Sequence, residues 1–399
     1  MSGFTSMWDD LLPVGRREDG GYERFAWTSA DLTCREWFRA EAQRRGMAVE
    51  TDRNGNQWAW LGSPGPDAVV TGSHLDSVPG GGAYDGPLGI VSAFAALDEL
   101  ARRDRRPTRP VAVVAFSDEE GARFGVACLG SRLAAGVADV DRTLALRDGD
   151  GTTLAEAMRA QGHDPSHVGA DPEALQRIGM FIELHVEQGR ALVDLDAPIG
   201  LATAIWPHGR WRYDFAGAGN HAGTTALADR QDPMLTYAMT VLAARKQAGL
   251  AGALATFGKV RVDPGGVNAI PAAITGWLDG RAPDQATLDA AVSAIQAQAA
   301  DRAGRDGVTL TVTAESVTPE VRFPTAPLDW AGGVLGDPPR LPTGAGHDAG
   351  ILAAAGVPTV MVFVRNPTGI SHAPAEHAEE ADCLAGVAAL ADLLAAAAC

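Results

Sequence analysis

The chain has 399 residues, of which 46% are hydrophobic, so it is long enough for two domains and can bury a sizeable core. Its 50 acidic residues outnumber its 33 Lys and Arg, which gives a formal net charge of −17 at pH 7 and argues against nucleic acid or an anionic membrane as a partner. The N-terminus lacks a signal-peptide pattern, and no apolar run approaches the ~20 residues of a membrane span. The four scattered cysteines predict reduced thiols in a cytoplasmic protein.

The first predicted elements are a helix over residues 28–45 and a hairpin that turns at Asn54-Gly55. A strand and a loop rich in Gly and Pro follow, and the loop carries Asp76 and Asp85. The segment GPLGIVSAFAALDELARR, which comes next, predicts a long helix. This alternation of strand and helix favours an α/β domain.

Four apolar runs predict buried parallel strands: DAVVTG, VAVVAF, IGMFIEL and VPTVMVFV. Polar side chains stand at or beyond the end of each run, namely His74, then Glu119 and Glu120, then His185, then His372. Because the carboxyl ends of parallel strands meet at one edge of a sheet, we expect these side chains to lie close together. Imidazole and carboxylate groups suit zinc, manganese, cobalt or nickel.

A purely structural alternative exists for each of these residues. Asp85 could cap the helix that follows it, and Glu119 and Glu120 could occupy an ordinary first turn. His185 alone could be a hydrogen-bonded core residue. The recurrence of such side chains at several strand ends favours a metal site.

The pattern changes near Trp206. From residue 207 to 320 the predicted order is βαββαβ, which is typical of a small split-βαβ sandwich. We therefore predict an inserted α+β lid or dimerisation domain at 207–320. The catalytic domain, 1–206 and 321–399, should hold a mixed, largely parallel sheet flanked by helices.

Six motifs follow one another along the chain: GSHLDSVPGGGAYDG, DEEGARFG, ELHVEQG, GNHAGTT, VNAIP and GISHAPAEH. Together they resemble the dinuclear-metal amidohydrolases of the aminoacylase and carboxypeptidase type, and the resemblance covers nearly the whole chain. Within that family the chain is most similar to the branch of allantoate amidohydrolases and N-carbamoyl-L-amino-acid hydrolases. His185 in HVEQG separates this branch from peptidase relatives, which tend to use a carboxylate there.

The resemblance implies a site with two divalent metal ions. His74 and His185 would bind one ion, Glu120 and His372 would bind the other, and Asp85 would bridge the two. The ions could be zinc, manganese, cobalt or nickel.

The resemblance also implies roles in catalysis. Asp76 would orient His74, as carboxylates commonly do for metal-bound histidines. Glu119 would be the general base that takes a proton from the attacking water and passes it to the leaving nitrogen. His221 would donate a hydrogen bond to the oxyanion, across the interface of a homodimer.

Further residues would bind the substrate. Asn268 and Arg281 would hold its carboxylate, although Arg281 could instead form a surface ion pair. Gln188 and the backbone near Gly369 would also touch it, and the pair His347-Asp348 would support the metal centre. Residues 321–346 are short and rich in Pro and Gly where relatives carry a helix and then a strand, so we expect a departure there.

These implications lead to a predicted function. The protein would be a homodimeric two-metal amidohydrolase that cleaves a ureido C–N bond in a small carboxylate substrate. Allantoate is the first candidate, giving ureidoglycine, ammonia and carbon dioxide. The alternative within the class is an N-carbamoyl-L-amino acid; a dipeptidase or aminoacylase, or a metal-binding module without activity, are more remote alternatives.

Overall fold

The computed structural model describes residues 3–399, and these divide into two compact units. Unit 1 runs to Thr203 and resumes at Arg322, while unit 2 is the intervening segment Ala204–Val321. The inserted domain predicted from the sequence begins at residue 207 and ends at residue 320. Unit 2 begins three residues earlier and ends one residue later.

Helices and strands alternate through most of the described residues. The strands are β1 (Ala48–Thr51), β2 (Gln57–Leu61), β3 (Ala68–His74), β4 (Val111–Phe116), β5 (Ile178–Val186), β6 (Ile199–Ile205), β7 (His208–Ala216), β8 (Asn220–His221), β9 (Leu254–Asp263), β10 (Ala269–Ile270), β11 (Ala273–Arg281), β12 (Thr309–Thr318), β13 (Val321–Arg322), β14 (Arg340–Thr343) and β15 (Thr359–Val364). The α-helices are α1 (Gly3–Leu11), α2 (Ser29–Arg44), α3 (Pro87–Arg102), α4 (Leu129–Ala134), α5 (Val140–Leu144), α6 (Leu154–Ala160), α7 (Pro172–Gln176), α8 (Ala191–Asp194), α9 (Pro233–Ala251), α10 (Gln285–Asp306), α11 (Thr325–Leu335), α12 (Asp348–Ala354) and α13 (Glu380–Ala398).

The large sheet has the order β1-β2-β4-β3-β5-β15-β6-β13, with β14 beside β6. Its four central strands, β4, β3, β5 and β15, run parallel to one another, and β2 and β6 flank them antiparallel. This confirms the predicted mixed, largely parallel sheet. His74 is level with Phe116, and His185 is level with Phe363, so the carboxyl ends of the four strands lie along one edge.

The alternation of side chains along β5 decides which of them reach the core. Ile182, Leu184 and Val186 enter the hydrophobic core that α3 and α13 cover, where burying each aliphatic side chain is worth about 1.5–3 kcal/mol. Glu183 and His185 point to the opposite face, where α12 lies. The core therefore fixes the direction in which His185 points.

Helix α13 departs from the expectation that the chain has no membrane-length apolar run. By length and composition alone it could cross a membrane. More than half of it is buried, however, and Leu390, Leu393 and Leu394 have no exposed surface. It packs on α3 as a core helix of unit 1.

The departure expected in residues 321–346 is wrong, because this segment forms α11 and then β14. Pro327 lies in the first turn of α11, where its missing N–H costs no hydrogen bond within the helix. Gly336 ends the helix in the left-handed conformation, with φ 75°. Leu328 and Ala331 join the core and stabilise a helix whose own Gly and Pro content disfavours it.

Unit 2 has the predicted order of elements, β7-α9-β9-β11-α10-β12. Its antiparallel sheet has the strand order β12-β7-β11-β9, so β9 and β12 are its edges. Tyr213, Phe215 and Leu278 of the sheet form one hydrophobic core with Ala244 of α9 and Ile295 of α10. Unit 2 therefore has a core of its own.

Candidate active site

Four of the five predicted metal ligands, all in unit 1, gather around the carboxylate of the fifth, Asp85. Its Oδ1 atom lies 3.2 Å from His185 Nε2 and 3.6 Å from His74 Nε2. Its Oδ2 atom lies 3.3 Å from His372 Nε2, which is 3.7 Å from Glu120 Oε2. Asp85 thus stands between two groups of ligand atoms, and the atoms within each group lie within 4.8 Å of one another.

The separations within these groups fit shared cations. Two atoms bound to one ion at about 2.1 Å in a tetrahedral arrangement are about 3.4 Å apart. The Nε2 atoms of His74 and His185 are buried and make no hydrogen bond with the described residues. Such atoms are costly to bury unless something binds them, and a divalent cation beside Asp85 would do so. The residues present therefore fit a pair of ions.

The charges around the site also favour cations. Burial and the neighbouring charge of Asp85 raise the pKa of Glu120 to about 7. Burial alone would raise the pKa of Asp85, but the nearby imidazole groups of His185, His372 and His74 hold it well below its usual range. Burial raises the pKa of Glu119, Asp118 and Asp348 well above the usual range, and the charges of neighbouring carboxylates raise it further. Buried charge of one sign needs a counter-charge, which metal ions supply.

Two features hold the loop after β3 in place. Gly86 has φ 86°, and a Cβ atom there would lie 2.4 Å from the ring of His74, so the close approach requires glycine. The Asp76 carboxylate accepts hydrogen bonds from the N–H groups of Glu119 (3.2 Å) and Glu120 (3.0 Å). Its Oδ1 atom is also 3.4 Å from His74 Nδ1. Asp76 therefore links the ends of β3 and β4, in addition to its predicted contact with His74.

Glu119 lies beside the metal ligands. Its Oε2 atom is 3.8 Å from His74 Nε2, and its Oε1 atom accepts a hydrogen bond of 3.2 Å from Cys128 Sγ. Burial raises the pKa of Glu119 well above its usual range, although His74 opposes the shift. Sequence reasoning missed the Cys128 contact, because a single cysteine carries no pattern that points to a carboxylate.

Gln188 and Gly369, two predicted substrate contacts, occupy different environments. Gln188 Nε2 donates to Asp85 Oδ2 over 2.7 Å and lies 3.4 Å from His372 Nε2, so it is at the centre of the site. The N–H of Gly369 donates instead to the side chain of Asn366. The loop before His372 is therefore organised around Asn366.

Glu183 is a buried residue to which sequence reasoning gave no role. It accepts hydrogen bonds from the Ser73 hydroxyl (2.8 Å) and from the N–H of Ala349 (2.9 Å). It thereby connects the end of β3 to α12. The centre of the ring of His347, which precedes α12, lies 4.4 Å from the centre of the His185 ring.

The remaining predicted residues belong to unit 2. His221 and Asn268 are exposed neighbours, because His221 pairs with Ala269 and the N–H of Ala222 donates to the Asn268 carbonyl. Gly223 donates its N–H to His221 Nδ1, which leaves Nε2 as the protonated donor of the neutral ring. Arg281 forms a paired contact with Asp279 of the same strand, the ion pair considered above.

Comparisons with known proteins agree with this architecture. The profile of Peptidase family M20/M25/M40 matches residues 70–396. An N-carbamoyl-L-amino acid amidohydrolase of Geobacillus stearothermophilus is 35% identical, with 96% of each chain covered. An allantoate amidohydrolase of Escherichia coli K12 is 33% identical over 96% of this chain and 95% of that protein. A crystal structure of an amidase of the hydantoinase/carbamoylase family from Burkholderia vietnamiensis has a TM-score of 0.90 and 29% identity, covering 99% of this chain and 97% of that one. The chain therefore belongs to Peptidase family M20/M25/M40 and is an amidohydrolase of that family.

Proposed function

We propose that the protein hydrolyses a ureido C–N bond in a small carboxylate substrate, with allantoate as the first candidate. The observation that carries this proposal is the convergence of two ligand groups on Asp85, with Glu119 beside them. The relatives described above are named for ureido substrates, which supports the reaction class. Ureido and amide carbons are poor electrophiles, so a site of this kind suits them.

The proposed mechanism assigns a task to each group of residues. His74, His185, Glu120, His372 and Asp85 would hold two divalent ions. Bound there, the ions would lower the pKa of water and polarise the ureido carbonyl. Proton transfer and substrate recognition would depend on other residues of the chain.

Glu119 would move the proton. Its carboxylate takes a proton from the attacking water as the water oxygen bonds to the ureido carbon. The C–N bond then breaks, and Glu119 gives the proton to the leaving nitrogen. The carbamate product decomposes to ammonia and carbon dioxide. Glu119 is buried, and among the described residues its Oε1 atom accepts only the weak Cys128 donor, so it can act as a base.

Unit 2 would supply substrate recognition. His221, with Nε2 protonated, would donate to the oxyanion as the reaction proceeds. Asn268 and Arg281 would hold the substrate carboxylate, and Arg281 would exchange its contact with Asp279 for one with substrate. Gln188 in unit 1 would contact the ureido group. Substitution of Arg281 should then raise KM more than it lowers kcat.

N-carbamoyl-L-amino acids are the second candidate substrate. The Geobacillus stearothermophilus relative named for them covers 96% of this chain, as does the Escherichia coli relative named for allantoate. The two substrates make different demands on a pocket. Allantoate carries a second ureido group that needs polar partners, whereas an amino-acid side chain needs an apolar wall.

Purified protein loaded with Mn²⁺ should be assayed against allantoate, a set of N-carbamoyl-L-amino acids and dipeptides. We expect kcat/KM to be highest for allantoate and turnover of dipeptides to be absent. Turnover of carbamoyl amino acids alone would reject allantoate as the substrate. Cleavage of dipeptides alone would reject ureido hydrolysis altogether.

We also propose that the protein is a homodimer formed through unit 2. Helix α9 buries Thr236, Thr240 and Ala244 in its own unit but leaves Leu235, Met239, Leu242 and Leu250 exposed. Strand β9, next in the chain, is an edge of the sheet and carries the exposed Leu254 and Val260. An apolar helix face next to a strand edge suits pairing with a second copy, since both surfaces are otherwise unfavourable in water.

A further inference from the structure

Glu376 connects the two loops that carry Asp85 and His372, and no role described so far includes it. Its Oε1 atom accepts hydrogen bonds from the backbone N–H groups of Tyr84 (2.8 Å) and Asp85 (2.9 Å). Its Oε2 atom lies 3.1 Å from the Ser371 hydroxyl, which is 3.2 Å from Asp85 Oδ2. Glu376 is only 5% exposed, so water does not replace these contacts.

The two ligand groups differ in how firmly the fold holds them. In the first group, His74 and His185 are the last and next-to-last residues of strands, and both are buried with Asp85. In the second group, His372 lies in a loop, and its side chain is 48% exposed. Its φ of 56° places it in the left-handed region, which is unfavourable for a residue other than glycine. An exposed ligand in a strained conformation needs support from its neighbours.

We infer that Glu376 is a positioning residue for the second metal subsite, which consists of Asp85, Glu120 and His372. It holds the subsite through hydrogen bonds to both loops, and its charge is not required. This inference rests on the two-metal site of the proposed function. Glutamine at this position keeps an oxygen for the two backbone N–H groups and offers an N–H to Ser371, whereas alanine keeps neither.

The test is a titration of metal-free protein with Co²⁺, followed by equilibrium dialysis and by the visible absorption of the bound ion. Wild-type protein should bind two equivalents. In Glu376→Ala the first equivalent should bind as in wild type, and the Kd of the second should rise about 10–100-fold. Glu376→Gln should restore the second equivalent.

Asp52→Ala is the matched control. Asp52 is also a carboxylate that accepts two backbone N–H groups, those of Asn54 and Asn56, but it lies in the β1–β2 hairpin. This variant should bind two equivalents with wild-type affinities. Loss of metal in the control as well would overturn the inference, because the effect would then be one of general stability.

Four other outcomes are decisive. Two equivalents of unchanged affinity in Glu376→Ala would overturn the positioning role while leaving the proposed function intact. Weak binding in Glu376→Gln would overturn the claim that hydrogen bonds suffice. Fewer than two equivalents in wild type would overturn the two-metal site as well. If Glu376→Ala does not fold, Ser371→Ala takes its place, and an unchanged second equivalent there overturns the inference.

Discussion

At the scale of residues, the convergence of the proposed ligands could be predicted, because each lies at or beyond the end of an apolar strand and belongs to a motif. Asp85 and His372 are such cases. The hydrogen bonds to backbone that hold their loops could not be predicted, because these contacts join distant parts of the chain. Glu376 accepts a hydrogen bond from the N–H of Asp85, which lies 291 positions away in the chain. Asp76 also accepts hydrogen bonds from two backbone N–H groups, and every residue type except proline has such a group. A hydrogen bond from a backbone N–H does not depend on the side chain of the donor residue, so it leaves no pattern in the sequence.

Substitution of the proposed base should separate catalysis from metal binding. Glu119→Gln should lower kcat by about 10²–10⁴-fold, because the amide cannot accept the proton. Its metal content should stay at the wild-type value, since Glu119 belongs to neither ligand group. Kinetics and elemental analysis of the same sample check both points.

Glu120→Gln is the matched comparison, because Glu120 is the adjacent residue and a proposed ligand. It should lose metal from the second subsite together with activity. Full activity in Glu119→Gln would reject the assigned base, and equal metal loss in the two variants would reject the division of roles between them.

At the scale of elements, a strong apolar periodicity is sufficient to predict a helix or strand. Stabilisation by tertiary packing cannot be predicted from the local sequence. The long helix α3 and the four parallel strands have apolar patterns that the structure confirms. Helix α11 was not expected, because its Pro and Gly residues disfavour a helix and only packing of Leu328 and Ala331 against the core compensates. The bounds of an element are thus easiest to predict where its own sequence decides them.

Strand β3 should tolerate no side chain at Gly72. A Cβ atom there would lie 1.9 Å from the carbonyl oxygen of Val114 in the neighbouring strand. Gly72→Ala should therefore destabilise unit 1 by about 1–3 kcal/mol or more, since the backbone must move. Gly333→Ala, at an exposed position of helix α11 where no side chain or other segment lies within 4 Å of the new Cβ, should instead stabilise it by about 0.5–1 kcal/mol.

Thermal unfolding followed by calorimetry compares the two variants with wild type. A midpoint for Gly72→Ala that equals or exceeds the wild-type midpoint would contradict the close approach of β3 and β4. A lower midpoint for Gly333→Ala would contradict the open surroundings of that helix position.

At the scale of the whole molecule, the division into two units could be predicted because the order of elements changes in pattern near Trp206. The proposed dimer depends on a feature that sequence alone does not show. Leu235, Met239 and Leu242 look like core residues in the sequence, but the core of unit 2 is built from the other face of α9. Only the structure shows which apolar face remains exposed.

Leu242→Glu should convert the proposed dimer to monomers, because a charge would be buried in an apolar interface. Leu195→Glu, a change at an exposed leucine of unit 1, should leave the dimer intact. Sedimentation velocity measures both. A wild-type monomer, or a Leu242→Glu variant that remains dimeric, would contradict assembly through α9. If His221 serves the partner's site, the monomeric variant should also lose activity.

The position of β15 between β5 and β6 has a consequence for biosynthesis. The ribosome completes unit 2 before it makes β15, so unit 2 can fold while the remainder of the chain is still being translated. The large sheet stays interrupted until that late strand inserts, and α13 covers the core later still. Until then the earlier strands expose unpaired edges. The nascent protein should therefore depend on chaperones until the C-terminal part of the chain has been made.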